Sequence, residues 1–355
     1  MRVLVVNAGS SSLKVDLVVD GVQVNSSDGL PAQPPEVDAV GHRIVHGGPD
    51  LHDPVLIDPA VEQRLRELVD LAPLHQPKSL DGLDAARRLL PDVAHVACFD
   101  TAFHATLPLA AYTYALPAAW RSRWGVRRYG FHGLSHAWAS RRAMELVPGV
   151  RRIVTCHLGA GASLAAVLDG SSVDTTMGFT PLDGLVMATR SGSVDPGLLT
   201  WLEEREGLAP QQIAHALEHD SGLLGLAGTA DMRELLARHD DEAQLAIAVY
   251  LHSLVSGIAS MTAALGGLDA LVFTGGVGEG APEVRRRCAA SLGYLGVGVD
   301  ERRNAGAAAD LDVSDEHSAV RTLVVRSRED LQIAAGVEQL LAPGAGPPAA
   351  RQVTG

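Results

Sequence analysis

Two segments of the chain share one order of apolar and polar positions. In each, an apolar run typical of a strand leads into a turn of small residues, a second apolar run follows, and an Asp-Gly pair ends the segment. One copy spans residues 3–21 and the other spans residues 153–170. Two copies are too few for a solenoid, but they predict a chain built from two similar domains, each beginning with a hairpin.

Both predicted hairpins have tips suited to an anion. The first tip reads NAGSSS from Asn7, with Lys14 close behind it, and the second reads GAGAS from Gly159. Glycine and serine present backbone N–H groups and hydroxyls without a large side chain in the way, which suits phosphate. Ordinary hairpins with small residues at the turn remain the alternative for either copy alone.

The remaining pattern predicts alternating strands and helices. Residues 21–37 are polar and rich in proline, which predicts a loop. A strand, a glycine-rich turn at 275–280 and a helix follow one another near the end, an order typical of a phosphate or nucleotide cradle, although no Gly-Lys-Ser/Thr of a Walker loop follows. Strands are predicted at 39–45, 94–99, 270–274 and 321–325, and helices at 60–71, 79–90, 137–147, 196–206, 210–218, 242–265, 282–292 and 331–341.

Composition narrows the class of protein. The chain has 355 residues, of which 46% are hydrophobic and 20% are charged, as expected for a globular protein of two domains. Its net charge of −13 argues against a nucleic-acid partner. Three cysteines without metal spacing suit a reducing compartment. We found no apolar run expected to span a membrane and no signal peptide, so we expect a cytoplasmic protein.

Five polar residues stand out as candidates for chemistry, and each has a structural alternative. Arg43 can hold a carboxylate or phosphate, or pair with a structural acid. Asp100 follows a strand, where open α/β sheets bind ligands, or caps a helix. His132 lies in a glycine-flanked loop and Arg190 in a loop of small residues. Glu329, like its neighbour, can bind a metal or favour a helix N-terminus.

With these residues in hand, the sequence resembles the acetate kinases of the acetokinase family. The motifs extend from residue 1 to about 341: VNAGSSSLK, GHRIVHGG, LAPLHQP, FDTAFH, YGFHGLSH, CHLGAGAS, MGFTPLDGL, ATRSGSVDPG and FTGGVGE. The resemblance implies an α/β fold of two duplicated actin-like (RNase H-like) domains flanking a cleft. It also implies reversible transfer of a phosphoryl group between ATP and acetate, giving ADP and acetyl phosphate, with Mg²⁺ or Mn²⁺.

The resemblance also implies roles for individual residues. Asp100, His132 and Arg190 match catalytic residues, and Asn7 and Glu329 match metal ligands. The positions that match substrate-binding residues are Arg43, Val45, Leu74, Phe131 and Pro181. The positions that match nucleotide- and phosphate-binding residues are Ser10, Ser12, Lys14, His157, Leu158, Gly159, Ala160, Gly161, Asp231, Met232, Arg233, Gly276, Val277, Gly278, Glu279 and Gly280. Because acetate is ionised at neutral pH, we expect Asp100 to orient Mg²⁺ or an arginine instead of acting as a general base.

The domain boundaries follow from the same resemblance. We expect a first domain of residues 1–103 plus 331–341, a second of residues 104–330, and a disordered tail at 342–355. Family members are commonly homodimers, and the apolar helix from Glu242 offers a surface for such a dimer.

This chain departs from the family pattern on the nucleotide side. Ala160 and Gly280 stand where the family usually has asparagine, and loss of a buried donor at each would weaken ATP binding by about 1–3 kcal/mol. The alternatives are a propionate or butyrate kinase, a kinase that uses pyrophosphate, and a relative that binds nucleotide without turnover. A sugar kinase has no support, because the acceptor side offers arginines beside a small apolar pocket.

Overall fold

The computed structural model describes residues 1–9, 13–72, 75–307 and 310–342. The predicted site residues Ser10, Ser12 and Leu74, and the predicted tail beyond residue 342, lie outside this range. The chain forms two compact units. The first comprises Met1–Ala105, Phe131–Trp138 and the chain from Arg328 onward; the second comprises Thr106–Gly130 and Ala139–Ser327.

Both units are built from strands and helices in alternation. The strands are β1 Arg2–Ala8, β2 Leu13–Val19, β3 Val22–Asp28, β4 Ala39–Ile44, β5 Val55–Leu56, β6 Ala94–Phe99, β7 Arg152–Leu158, β8 Ala162–Leu168, β9 Ser171–Thr175, β10 Ala270–Thr274, β11 Leu311–Asp312 and β12 Arg321–Val324. The helices are α1 Pro59–Glu67, α2 Gln76–Leu89, α3 Leu109–Tyr112, α4 Ala118–Trp124, α5 Gly133–Leu146, α6 Pro196–Glu206, α7 Pro210–His219, α8 Gly222–Ala227, α9 Met232–Ala237, α10 Asp241–Leu265, α11 Gly275–Gly280, α12 Pro282–Ser291, α13 Glu301–Ala305 and α14 Glu329–Leu341.

The two units contain sheets of the same topology. The first sheet has the order β3-β2-β1-β4-β6-β5, and the second has the order β9-β8-β7-β10-β12-β11. In the first sheet β3, β2 and β1 are antiparallel, β4 and β6 run parallel to β1, and the short edge strand β5 is antiparallel to β6. In the second sheet β9, β8 and β7 are antiparallel, β10 and β12 run parallel to β7, and the short edge strand β11 is antiparallel to β12. The predicted internal duplication is therefore confirmed.

The Asp-Gly pairs close equivalent turns in the two units. Asp20 and Gly21 have φ of 47° and 75°, and Asp169 and Gly170 have φ of 50° and 80°. Positive φ at both central residues is the requirement of a type I′ turn, whose twist matches that of the strands it joins. The turn in the first unit leads directly into β3, so the prediction of a loop over residues 21–37 was wrong for residues 22–28. As an exposed edge strand, β3 carries mostly polar side chains and lacks the alternation that predicts a strand.

Helices cover both faces of the first sheet. Val3 and Val5 of β1 pack with Ile333 of α14, whereas Leu4 and Val6 pack with Ala86 of α2. Alternate residues of a strand point to opposite faces, so these clusters lie on the two sides of the sheet. A Cβ at Gly41 would lie 2.6 Å from the Ile333 side chain, so β4 approaches α14 closely. Because helices cover both faces of the sheet, the loops at the strand ends are the places open to polar side chains.

Two further predictions need correction in the second unit. The glycine-rich segment predicted as a turn is the short helix α11. The helix α10 is long and apolar enough to span a membrane by length and composition, contrary to the expectation of no such run in this chain, although 44% of its apolar window is buried. Its buried face packs on β8 and β7, and it is the core helix of this unit.

Candidate active site

In the first unit, polar residues gather at one edge of the sheet. Strands β1, β4 and β6 are parallel neighbours, so their carboxyl ends meet at the same edge. Asn7 and Arg43 lie near the ends of β1 and β4, Asp100 follows β6 directly, and Glu329 begins α14. Such an edge is where open α/β sheets bind ligands.

These four residues form one connected chain of contacts. Arg43 donates to the Asp100 Oδ2 atom from Nε at 3.0 Å and from Nη2 at 2.5 Å. Its Nη1 atom donates to Asn7 Oδ1 at 3.2 Å, and Asn7 Nδ2 donates to Glu329 Oε2 at 2.9 Å. Glu329 also lies 3.9 Å from Arg43 Nε. Arg43 therefore pairs with an acid, as its structural alternative expected, and its role in holding a ligand stays a prediction.

Burial makes this charge pair electrostatically strong. The Asp100 side chain is 1% exposed and that of Arg43 is 13% exposed. Burial raises the pKa of Asp100 above its ordinary value, while the Arg43 charge opposes that shift. Burial alone would lower the pKa of Arg43, but Asp100 and Glu329 raise it further above its already high value. Arg43 itself keeps its positive charge at neutral pH, because a guanidinium does not lose its proton there.

His132 adopts a backbone conformation that side-chain-bearing residues seldom take. Its φ is 55°, in the left-handed region, which costs about 1–2 kcal/mol. The next residue holds it there: Gly133 N–H donates to the Asp100 carbonyl at 2.8 Å, and a Cβ at Gly133 would lie 2.2 Å from that oxygen. A strained residue fixed by its neighbours is a common feature of functional sites.

Two of the positions predicted to line a methyl pocket belong to the first unit. Val45 and Phe131 are both buried. The Phe131 ring meets the edge of the His46 ring at a centroid distance of 5.6 Å, and its carbonyl accepts a hydrogen bond from His104 Nε2 at 3.1 Å. These contacts fix Phe131, one of the positions predicted to line a methyl pocket. Pro181 belongs to the second unit.

In the second unit, three of the predicted loops come together. The tip between β7 and β8 closes with a hydrogen bond from Gly159 N to Gly161 O at 2.9 Å. A Cβ at Gly275, the first residue of α11, would lie 2.8 Å from the Leu158 carbonyl oxygen. The loop before Arg190 joins them, since Ala188 N donates to Ala160 O at 3.2 Å. Of the three segments predicted to bind nucleotide, residues 157–161 therefore contact both α11 and the Arg190 loop.

The short helix α11 is held at both ends by charged side chains. Glu279 Oε1 accepts hydrogen bonds from Gly275 N at 3.0 Å and from Ser327 N at 2.9 Å. Burial raises the pKa of Glu279 above its usual value. Arg285 donates from Nη1 to the carbonyls of Gly278 and Glu279, both at 2.8 Å. The side chain of Arg285 is buried, and burial lowers its pKa to about 10.

The third predicted nucleotide segment is organised around a helix cap. Asp231 is the N-cap of α9 and accepts from Arg233 N at 2.8 Å, while the two side chains form an ion pair at 2.6 Å. Elsewhere, Lys14 of the first unit is half exposed, with Nζ 3.5 Å from Asp16 Oδ1.

Arg190 is paired inside the second unit. Its Nε atom donates to Glu218 Oε2 at 2.7 Å, and both side chains are largely buried. Glu218 lies in the last turn of α7.

Comparison with known proteins decides the family. The profile of the acetokinase family matches residues 22–335. This chain belongs to the acetokinase family. An acetate kinase from Nostoc punctiforme is 47% identical over 313 residues, covering 86% of this chain and 77% of that protein.

Solved structures agree with this membership. A propionate kinase from Francisella tularensis subsp. tularensis superposes with a TM-score of 0.87 at 33% identity, covering 95% of this chain and 98% of that one. An acetate kinase from Porphyromonas gingivalis superposes with a TM-score of 0.86 at 36% identity, covering 96% and 99%. The predicted fold class, with duplicated α/β domains, is confirmed for this acetokinase.

Asn7 and Glu329 suit a magnesium ion that takes its remaining ligands from water and substrate phosphates. Across residues 1–9, 13–72, 75–307 and 310–342, no cluster of three or more His, Cys, Asp or Glu side chains is arranged to hold a metal. Asn7 and Glu329 are nevertheless in contact through Asn7 Nδ2, while Asn7 Oδ1 accepts from Arg43, so the site contains an amide oxygen and a carboxylate. Mg²⁺ is commonly held by one or two carboxylates plus substrate phosphates and water. The donor set is therefore adequate for a substrate-linked Mg²⁺.

The prediction of domain boundaries differs from the compact units in one respect that matters for the site. Phe131–Trp138, with His132, belongs to the first unit, although the sequence placed it in the second domain. Compact units need not coincide with duplicated domains, so the predicted boundaries stay a prediction.

Two charged residues of the acetokinase site were missed by sequence reasoning. Glu218 and Arg285 each contact a predicted loop, and each carries a weak signal in the sequence. Glutamate in the last turn of a helix opposes the helix dipole, as Glu218 does in α7. Arg285 shares the buried face of α12 with Cys288 and Ala289, at helical spacing.

Proposed function

We propose that this acetokinase catalyses reversible, Mg²⁺-dependent phosphoryl transfer between ATP and acetate, giving ADP and acetyl phosphate. The observation that carries the proposal is the contact chain from Asp100 through Arg43 and Asn7 to Glu329, at the ligand-binding edge of the first sheet. Family membership and the acetate and propionate kinases among its relatives support the same activity.

In this proposal the first unit binds the acceptor. Arg43 uses three of its five N–H groups on Asp100 and Asn7, which leaves one N–H on each terminal nitrogen for an acetate carboxylate. Val45 and Phe131 supply apolar surface for the methyl group, together with Leu74 and Pro181. Acetate is already ionised at neutral pH, so Asp100 holds Arg43 in place and no base is required.

Phosphoryl transfer itself needs alignment and charge neutralisation more than covalent help. His132 and Arg190 donate hydrogen bonds to the oxygens of the transferring group. Asn7 and Glu329 would hold Mg²⁺ or Mn²⁺, and that ion, when bound, would neutralise phosphate charge. The segments 157–161, 231–233 and 276–280 bind the nucleotide in this proposal, with Lys14, Ser10 and Ser12 on the phosphates.

A hydroxamate assay tests the activity and its acceptor. Acetate, propionate and butyrate are each offered with ATP and with pyrophosphate, and acyl phosphate is measured for the wild type and for Arg190→Ala. We expect ATP to be the donor and acetate to be the best acceptor. An equal, background signal from wild type and variant would favour a nucleotide-binding protein without turnover.

Propionate kinase is a second candidate because of the Francisella tularensis neighbour. One extra methylene is worth only about 1–3 kcal/mol of discrimination in an apolar pocket. We therefore expect propionate to be a poorer substrate and not an excluded one. A larger kcat/KM for propionate than for acetate in the same assay would favour the second candidate.

We also propose that the protein is a cytoplasmic homodimer that binds neither nucleic acid nor membrane. One face of α10 is buried in the core of the second unit, so this helix supports a dimer less well than the sequence suggested. The exposed indoles of Trp120, Trp124 and Trp201 give better support, because large apolar side chains on a surface favour association. Light scattering coupled to size exclusion tests the dimer.

A further inference from the structure

The loop that carries Arg190 is attached to the end of helix α7. Thr189 Oγ1 donates to the Glu218 carbonyl at 2.9 Å, and Ser191 N donates to the Leu217 carbonyl at 3.0 Å. The carbonyls in the last turn of a helix have no partner within it, so the loop supplies the donors that α7 needs. The backbone on both sides of Arg190 is therefore fixed by α7.

The chain after α7 closes on the same loop from another direction. Ser221 N donates to the Thr189 carbonyl at 3.0 Å. A Cβ at Gly222, which has a φ of 62°, would lie 2.2 Å from the Met187 carbonyl oxygen and 2.7 Å from that of Arg190. Only glycine suits so close an approach at this φ. The Arg190 loop is thus held between α7 and the start of α8.

Glu218 fixes the orientation of the Arg190 side chain relative to this loop. Its carboxylate accepts from Nε, the nitrogen closest to the backbone, at 2.7 Å. The terminal nitrogen Nη1 has only long contacts, 3.5 Å to the Pro181 carbonyl and 3.8 Å to the Met187 sulfur. Within the part of the chain that the structure describes, Nη2 has no hydrogen-bond partner. Both terminal nitrogens are therefore available to an anion while Nε is held.

The position of Glu218 is unfavourable without Arg190. A carboxylate in the last turn of a helix opposes the helix dipole, and a buried carboxylate is costly unless it is paired. The Glu218 side chain is 8% exposed. The ion pair compensates both costs, and it also fixes the side-chain conformation of the arginine.

We propose that Glu218 is a positioning residue for phosphoryl transfer, which acts by binding Arg190 Nε so that Nη1 and Nη2 face the transferring phosphoryl group. This inference rests on the proposed function for its kinetic consequence. A purely structural ion pair would instead stabilise α7 without any specific effect on turnover.

The kinetic test is a mutant cycle. Glu218→Gln keeps the size of the side chain and replaces the charge-assisted hydrogen bond to Nε with a weaker neutral one, so Nε is held less firmly. We expect kcat to fall about 10- to 100-fold while KM for acetate and for ATP changes less than about threefold. In the Arg190→Ala background, Glu218→Gln should have no further effect on kcat, because residues that act as a unit are non-additive. Glu203→Gln, at an exposed position of α6, is the control and should match wild type.

Two results would overturn the proposal. One is an unchanged kcat in Glu218→Gln, and the other is an equal loss from Glu218→Gln in the wild-type and Arg190→Ala backgrounds. Glu218→Asp serves as the conservative variant if Glu218→Gln unfolds, and should retain more activity than Glu218→Ala.

A spectroscopic measurement separates this proposal from the proposed function. The ¹⁵N–¹H resonance of Arg190 Nε, assigned by its loss in Arg190→Ala, should exchange slowly with water in wild type and quickly in Glu218→Ala, which has no acceptor at this position. If wild type made no acyl phosphate, the proposed function would fail, while this resonance would still decide whether Glu218 holds Arg190. Fast exchange in wild type would refute the positioning role.

Discussion

Asp100 binds Arg43 through one carboxylate oxygen and leaves the other buried. Oδ2 accepts both hydrogen bonds from the guanidinium, at 3.0 and 2.5 Å. Oδ1 is inaccessible to solvent and has no hydrogen-bond partner among the described residues. A buried acceptor without a partner costs free energy unless a ligand supplies a donor. Asp100 therefore orients Arg43 and still has an oxygen available to a donor in the complex with substrate.

The role of Asp100 can be tested with Asp100→Asn. The variant removes the charge that holds Arg43 in place, and misplacement of a substrate-binding group by about 1 Å can cost about 100-fold, so we expect kcat/KM to fall by at least about 100-fold. The remaining activity should show the same pH profile as wild type, because acetate requires no base. The measurement is kcat/KM between pH 6 and 9. A general base at Asp100 would instead make the rate of the variant rise in proportion to hydroxide.

Two variants of His132 separate the free-energy cost of its strained backbone from the catalytic role of its imidazole. Asparagine tolerates the left-handed region better than alanine. We therefore expect His132→Asn to unfold close to wild type and His132→Ala to be less stable by about 1 kcal/mol. Both should lose most activity, because each lacks the imidazole. Urea unfolding and kcat measured on the same samples test this.

Gly133→Ala tests the backbone position of His132 while leaving the His132 side chain unchanged. Gly133→Ala would place a Cβ 2.2 Å from the Asp100 carbonyl oxygen, so the segment must shift. We expect a loss of activity and stability with His132 intact. Wild-type activity in Gly133→Ala would show that the close contact between these segments is dispensable.

The two departures from the family pattern predict a gain in nucleotide affinity on reversal. No atom lies within 4 Å of a Cβ built at Gly280, and Ala160 is exposed, so Gly280→Asn and Ala160→Asn should fold normally. A regained hydrogen bond is worth about 0.5–1.5 kcal/mol, so the Kd for ATP should fall about 2- to 13-fold for each. Isothermal titration with ATP measures this.

A matched control for these variants is Gly293→Asn. A Cβ at Gly293 also has open space, but the position lies outside the predicted nucleotide segments. An equal change in ATP affinity for Gly293→Asn and Gly280→Asn would contradict a specific contact at residue 280.

A buried histidine pair makes the first unit sensitive to acid. His95 Nε2 donates to the Leu90 carbonyl at 3.0 Å, so its Nδ1 accepts from His42 Nε2 at 2.8 Å, and both rings are neutral. Burial lowers the pKa of His42 well below its ordinary value and also lowers the pKa of His95. The unfolded chain therefore binds more protons than the folded one below about pH 6.5.

The sign of the pH effect follows from that difference in bound protons. The free energy of unfolding should decrease on acidification below pH 6.5, by about 1.4 kcal/mol per pH unit for each histidine that stays neutral in the fold. Urea titrations at pH 7.0, 6.0 and 5.5 measure the loss. His42→Asn should show a shallower dependence on pH, whereas His317→Asn, at an exposed position, should not. Identical slopes for His42→Asn and wild type would contradict this origin of the acid sensitivity.

The local pattern of apolar and polar residues was enough to predict most of the helices and strands and the duplication of the two sheets. The hairpins of the two units follow from alternating apolar runs and Asp-Gly turns, which act over a few residues. The strand β3 escaped prediction because an exposed edge strand needs no apolar face. Residues 43, 100, 132, 190 and 329 were identified in the sequence by residue type and by their place at strand ends or in loops, and residue 7 by the family resemblance.

Only the tertiary structure decided how these residues contact one another. Asn7 and Glu329 are far apart in the chain and meet because α14 packs against the sheet that contains β1. The ion pair between Arg190 and Glu218 likewise joins a loop to a separate helix. The sequence by itself determined which groups and which local elements were present, because propensity and periodicity are short-range. The pairing of charges, the buried Oδ1 of Asp100 and the strained φ of His132 arise from packing between distant segments, which no local pattern encodes.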